Sequence, residues 1–586
     1  MSATGTEAAV SLLDEPHHDG SDLYVLERPD EAGGEAAVRV RVPPEVEVET
    51  VAVRWVEDGE ARAARAEPDG DGWWTARFPV RNPTTRYRWL LAGGELGYAW
   101  LNGLGVVAHD VPDADDFVLS LDMGGPAWHL ESVVYEIFPD RFASSGLDVD
   151  APAWAVRRAW DDLPEGRGPN TPFELFGGDL RGIEAHLDDI ERLGANVVYL
   201  TPIFPAGSTH RYDSTTFDRV DPLLGGDEAL ESLVAAAHAR GLRVISDLTT
   251  NHTGDKHEWF VAGERDLYLF DESGDYEAWW GFKSLPKLNW RSPELRTRIQ
   301  GVTRKWLQPP YSLDGWRVDV ANMTGRTGNT DVNAEVAPTL RAVLNEDSLL
   351  VAEHFHDYRP DFAGWHGAMN YAGFSRPVWT WLRGELEIDY FGLPVAMPRL
   401  GAGASAATMR AFRAGVPWQF VLHSWAILDS HDTPRFRTMA GSRDRQLVGI
   451  GLQMTTPGVP MIFAGDELGL EGEWGEDARR PMPWDRPETW DTQLFEEYRR
   501  LIALRRSSDA LARGGIRYAY VDDDVIAYLR ETRDERLLCL ASRADHPPVR
   551  VPFTSLETLY GDDAEIDGAE AVLPADGPSF HIWRIT

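Results

Sequence analysis

Residues 311–323, YSLDGWRVDVANM, contain a short apolar run, 315–320, that carries two charges, Arg317 and Asp319. Residues two apart on a strand share a face, so the guanidinium and the carboxylate point the same way. Buried charges of this kind need a partner or a task. One reading is an Arg–Asp pair that only ties a core together. The other is a carboxylate held ionised by its neighbour and ready to attack an electrophilic carbon. Three more apolar runs stop in groups suited to the same chemistry. Run 242–248 leads through Asp247 to Asn251 and His252, run 348–352 ends at Glu353, and run 425–429 leads to His431 and Asp432. Glu353 follows an apolar stretch, which favours its protonated form. A carboxylate placed like Asp319 sits where a sugar-cleaving nucleophile would have to be.

The elements that must position these groups have a regular rhythm. Strands are predicted over 133–138, 196–200, 242–248, 315–320, 348–352, more weakly near Met369, then over 425–429 and 460–464. Helical spacing of Leu180, Ile183, Leu187 and Ile190 predicts a helix over 180–193, and another runs over 227–240 to a stop at Gly241. Eight strands interleaved with helices predict an α/β protein built on a (β/α)8 TIM barrel, spanning about 126–505. Functional groups of such a barrel sit at the carboxyl ends of its strands, where the acids above fall. Residues 251–291, rich in Trp259, Trp279, Trp280, Phe282 and Trp290, predict an insertion after the third strand that overhangs the mouth. Alternating runs at 37–42, 46–56, 72–80 and 87–92 predict an N-terminal β-sandwich over 1–125, with a boundary at 123–127 around Pro126. Runs at 516–521, 525–530, 537–541 and 580–586 predict a second sandwich over 506–586.

Composition narrows the partners. A formal charge of −38 argues against nucleic acid and anionic membrane surfaces, and leaves a neutral ligand unaffected. The 23 tryptophans suit flat apolar faces such as sugar rings, although a large core would use many of them too. The single Cys539 cannot form an internal disulfide and lies in an apolar run, as inert core would. No stretch approaches the roughly 20 apolar residues of a membrane span, and residues 1–15 lack the pattern of an export signal, so a cytoplasmic location is expected.

The segments DLTTNH (247–252), GWRVDVAN (315–322), VAEH (351–354) and SHD (430–432) resemble, in order and spacing, the four strand-end motifs of the α-amylase family, glycoside hydrolase family 13. The resemblance runs over about 133–505. VYEIFPDRF (134–142), FGGDLRGIEAHLD (176–188), LTPIFPAGSTHRYDS (200–214) and LPKLNW (285–290) are similar to its neopullulanase, cyclomaltodextrinase and maltogenic amylase branch. The resemblance implies Asp319 as nucleophile, Glu353 as general acid and base, and Asp432 as the acid that stabilises the transition state. It further implies substrate contacts from Tyr212, His252, Arg317, Asn322, His431 and Arg479, with Asp247 bracing Arg317. The implied reaction retains anomeric configuration and consumes short or cyclic α-glucan oligosaccharides, with transfer to a sugar acceptor as the alternative and a non-catalytic sugar-binding protein as a remote one. The branch often forms dimers in which the N-terminal sandwich covers the partner's site, so the resemblance implies a homodimer in which residues 1–125 fill that role.

Two positions depart from the branch. Met323 replaces its usual Glu, and His354-Phe355 stand where it has a Trp two residues after the acid. Both border the leaving-group side, and an apolar group there removes a hydrogen-bond acceptor for a sugar hydroxyl. A substrate with mixed α-1,4 and α-1,6 links, as for a cyclic maltosyl-maltose hydrolase, fits those departures. No cofactor is expected. Calcium is not favoured, because the loop 143–150 keeps only two acids, and no zinc spacing occurs.

Overall fold

The computed structural model describes residues 12–121, 124–388 and 393–586. Residues 1–11 and Met123, which carried most of the export-signal reading and one edge of the predicted domain boundary, lie outside the described residues. The centre is a ring of parallel strands: β1 Val134–Ile137, β2 Val197–Leu200, β3 Arg243–Thr249, β4 Gly315–Asp319, β5 Leu349–Ala352, β6 Gly367–Ala368, β7 Trp425–Ile427 and β8 Val459–Phe463. Hydrogen bonding runs in the order β6-β5-β4-β3-β2-β1-β8-β7, and a parallel bridge between Met369 and Trp425 closes it. Apart from Arg243, every residue on these strands is buried. One face fills the barrel and the other packs on the helices outside, which is why the runs are apolar throughout. The (β/α)8 TIM barrel of the sequence reading is therefore the fold.

The outer helices begin where capping chemistry places them. Ser292 accepts from the Leu295 N–H at the start of Pro293–Leu307, and Ser442 accepts from the Arg445 N–H at the start of Arg443–Thr455. The helix predicted over 180–193 is two, Leu180–Ala185 and Leu187–Leu193. The break is His186, whose ring stacks on Trp484 at 4.0 Å while its Nδ1 meets Asp189 at 2.8 Å. That tertiary stack holds the residue off the helical path, which hydrophobic spacing cannot register.

The insertion after β3 holds one four-residue α-helix, Glu258–Val261, the 3-10 turns Arg265–Leu267 and Trp279–Gly281, and loops clipped by bridges such as His252–Lys287 and Ala278–Pro286. A second excursion after the short helix Pro139–Phe142 was not foreseen. It reaches Asp179 with the two-residue strands Val156–Arg157 and Glu174–Leu175 and the 3-10 turn Thr171–Phe173, being too rich in Pro, Gly and charge for either periodicity to show.

The N-terminal residues form a four-stranded and a six-stranded sheet around Val38, Val53, Phe78, Tyr87, Trp89 and Leu91. The strand expected over 46–56 starts at Thr50, since Pro43 and Pro44 lead into a turn rather than a ladder. At the C-terminus a five-stranded and a three-stranded sheet enclose Leu529, Leu538, Val551, Leu573 and Trp583. The other face of the larger sheet, including Cys539 and Phe580, joins the barrel's core. Both faces of its central strands are buried, and burial pushes the Cys539 thiol up to about 12.

Candidate active site

Strand register assembles the site. In the β3–β4 ladder Asp247 is opposite Arg317 and Thr249 opposite Asp319; in β4–β5 Arg317 is opposite Val351, and the Glu353 N–H donates to Val318 O at 2.9 Å. Two-residue alternation thus puts Asp247 and Arg317 in one inward layer, and Asp319 and Glu353 in the next layer toward the mouth. The guanidinium of Arg317, with no solvent exposure, spans both layers. Its Nη1 donates to both oxygens of Asp247 (3.0 and 2.8 Å) and to Asp319 Oδ1 (3.1 Å), and its Nη2 lies 3.0 Å from Glu353 Oε1. Tyr199 and Tyr212 donate their hydroxyls to Asp247 Oδ2 at 2.7 and 3.0 Å.

Glu353 Oε2 accepts from the Val320 N–H at 2.6 Å. Val320 follows β4 with φ of 37°, a conformation that costs a β-branched residue on the order of 1–3 kcal/mol. The strain turns that N–H onto the carboxyl group of Glu353.

Burial, and then the Glu353 carboxylate, push Asp319 well above the ordinary carboxylate range, against the pull of Arg317. Glu353 is also raised, by burial first and the Asp432 charge next, with Arg317 and the Val320 N–H opposing. Arg317 pulls Asp319 toward its ionised form, as expected of a neighbouring positive charge, but burial and Glu353 outweigh it. Its charge is divided among three carboxylates, so in the free site the pair takes up its first proton more readily than either acid would alone.

A second cluster forms on the opposite wall. His431 Nε2 lies 2.7 Å from the Tyr212 hydroxyl and 3.1 Å from Asp432 Oδ2, and its Nδ1 lies 2.5 Å from Glu136 Oε1. Arg479 donates to His431 O (2.7 Å) and Asp432 Oδ1 (3.0 Å). Burial would raise Asp432, but His431, Arg479 and Arg317 outweigh it and hold the group below its usual value. Burial would lower His431, but Asp432 and Glu136 raise it. Tyr212 stacks on His431 at 5.7 Å and, through Asp247, links the two clusters.

The remaining predicted residues line the rim. His252 stacks on Trp279 (5.7 Å), whose Nε1–H points at Met323 Sδ (3.3 Å), and burial with His210 and Lys287 nearby lowers the His252 ring to about 3. Phe355 stacks on Tyr371 at 3.9 Å. Asn322 is half-buried, with its carbonyl accepting from Arg326. His354 is not drawn into either cluster. Its Nε2 meets Asp361 at 3.1 Å, and Arg326 grips that carboxylate in turn.

Glu136, Tyr199 and Tyr371 were not singled out from the sequence. A polar group in the middle of an apolar strand was the available signal for the first two. Among the described residues no group of three or more His, Cys, Asp or Glu side chains is arranged to hold a metal ion.

A family model for the α-amylase catalytic domain matches residues 136–268 and 265–373. Neopullulanase 2 of Thermoactinomyces vulgaris is 31% identical over 487 residues, covering 76% of each chain. The cyclomaltodextrinase of Geobacillus thermopakistaniensis (strain MAS1) is 31% identical over 512 residues, 81% of this chain and 80% of the relative. Cyclic α-maltosyl-(1→6)-maltose hydrolase from Arthrobacter globiformis, in complex with cyclic α-maltosyl-(1→6)-maltose, shares the fold with a TM-score of 0.66 and 31% identity over 78% of this chain and 99% of that one. Motifs read from four strands meet at one barrel mouth, and relatives 31% identical match more than two thirds of the chain: the chain belongs to the α-amylase family, glycoside hydrolase family 13, and is a hydrolase of glycosidic bonds.

Proposed function

We propose that the chain is a retaining hydrolase of α-glucosidic links in short or cyclic α-glucans. The observation that carries this reading is one buried guanidinium touching both Asp319 and Glu353, which sets a nucleophile beside a proton donor. With a sugar bound, the proton shared by the pair resides on Glu353, next to the leaving oxygen. Asp319 attacks the anomeric carbon, the C–O bond to the leaving sugar breaks, and Glu353 protonates that oxygen. Water then enters, gives a proton to Glu353 and bonds its oxygen to the anomeric carbon as the bond to Asp319 breaks, so the sugar leaves with configuration retained. Asp432, kept anionic by His431 and Arg479, faces the positive charge that develops on the ring. Tyr212 supplies the platform under that sugar, with His252 and His431 at its hydroxyls.

The relatives support small substrates, and the rim supports an unusual one. Met323 beneath Trp279 and Phe355 against Tyr371 give the leaving-group side apolar walls. Hydrolysis of cyclodextrins, maltooligosaccharides, panose, pullulan and cyclic maltosyl-maltose, followed by product anomer, tests the reading; no turnover of any α-glucan ends it. The same walls favour a second reading, transfer to a sugar acceptor, because they exclude water while stacking a ring. Longer products at high substrate concentration support transfer, and hydrolysis products alone dismiss it. Cytoplasmic residence and a homodimer belong to this proposal as well. Cell fractionation tests the first and sedimentation the second.

A further inference from the structure

Glu136 lies in the middle of β1 with no exposed surface. Its Oε1 faces His431 Nδ1 at 2.5 Å, and its Oε2 has no hydrogen-bond partner. A buried carboxylate with a single donor is costly to keep, and that donor is the ring which also touches Asp432. Each nitrogen of His431 therefore faces a carboxylate oxygen. An ionised carboxylate only accepts hydrogen bonds, so the ring supplies a donor to both sides only when both nitrogens carry hydrogen. The hydroxyl of Tyr212 fits that arrangement. It donates to Asp247 Oδ2 and leaves its oxygen to accept from His431 Nε2.

We propose that Glu136 is a positioning residue for the third acid: its buried charge keeps His431 an imidazolium, and the imidazolium keeps Asp432 ionised and aimed. This rests on the role proposed above for Asp432. The groups facing His431 are Glu136 from β1, His210 and Tyr212 from the loop after β2, Asp432 on its own segment, and Arg479 from the loop after β8. Arg479 works against the positive ring, His210 is itself held toward its neutral form by burial, and the two carboxylates sustain the charge on His431. With a neutral ring, the Nε2 lone pair faces the Asp432 oxygen, and the Tyr212 hydroxyl must turn from Asp247 to fill the gap. Two members of the cluster then lose their partners together.

The test begins with the ligand-free wild-type enzyme, labelled with 15N-histidine and assigned by the signal lost in His431→Asn. Both ring nitrogens of His431 are expected to be protonated at pH 7; a neutral imidazole there overturns the proposal. The spectrum needs no substrate, so it succeeds or fails independently of whether α-glucans are turned over. Glu136→Gln keeps the shape and removes the charge. Its kcat at pH 8 is expected to fall about tenfold or more with KM changed less than about threefold, and the deficit to shrink toward pH 6 as the ring is protonated from solution. A pH profile that superimposes on wild type also overturns the proposal. Should that variant fail to fold, the wild-type spectrum alone decides.

Discussion

Arg317 shares one positive charge among Asp247, Asp319 and Glu353, so replacing Asp319 has two separable effects. Asp319→Asn removes the nucleophile, and kcat on any accepted α-glucan is expected to fall by roughly three orders of magnitude or more. It also removes a buried charge that repels Glu353, so the melting temperature is expected to hold or rise. Activity and calorimetry on the same preparation check both; retained activity sinks the assignment. Met323 belongs to the same scale. Met323→Glu restores an acceptor opposite the Trp279 Nε1–H and is expected to change the ratio of kcat/KM between cyclic maltosyl-maltose and a cyclodextrin about tenfold, as one polar contact at a specificity site can. An unchanged ratio across the substrate panel means the rim does not select. The main acids were legible because each ends an apolar run at the place a barrel uses for chemistry. Glu136 was not, because one acid inside VYEIF could equally be a satisfied core group, and its partner His431 lies 295 positions away.

Among the elements, β6 is the thinnest part of the barrel. It has two residues, Gly367 and Ala368, and meets β7 through a single bridge, whereas β3 and β4 share five register pairs. Fewer shared backbone bonds mean a lower local opening cost. Hydrogen exchange followed by mass spectrometry is expected to show 367–370 exchanging well before 245–249, and equal protection of the two seams would refute the comparison. The weak strand near Met369 was legible only as weak for the same reason, since two residues cannot show a period. The split at His186 and the excursion at 143–179 were illegible. One depends on a distant tryptophan and the other has no period to read.

At the scale of the whole molecule, buried histidines outside the site couple stability to pH. In the folded chain burial holds His18 and His423 at about 4 and His257 and His366 at about 3. Unfolded, each ring titrates near its ordinary value of about 6.5. Below that pH the unfolded state binds more protons, so each ring removes up to about 1.4 kcal/mol of stability per pH unit until its folded value is reached. The melting temperature is therefore expected to be flat from pH 8 to 7 and to fall from pH 6.5 to 5. Glu467 and Asp116, which burial raises to about 7 and about 6, take up protons in the folded chain over the same window and offset part of that fall. A constant melting temperature across it would show that these rings are not buried neutral.

Local geometry is the boundary between what could be read in advance and what could not. Strand order, barrel class, the flanking sandwiches and the inward placement of Asp247, Arg317, Asp319 and Glu353 follow from periods of two and 3.6 residues, which depend on near neighbours along the chain. The division of the Arg317 charge, the turn of the Val320 N–H onto Glu353, the Glu136–His431–Asp432 chain and the pairing of His354 with Asp361 were decided by tertiary structure. Proton sharing and hydrogen-bond direction depend on distances of about 3 Å between groups, several of them on different strands and loops, and only the closed barrel fixes those distances.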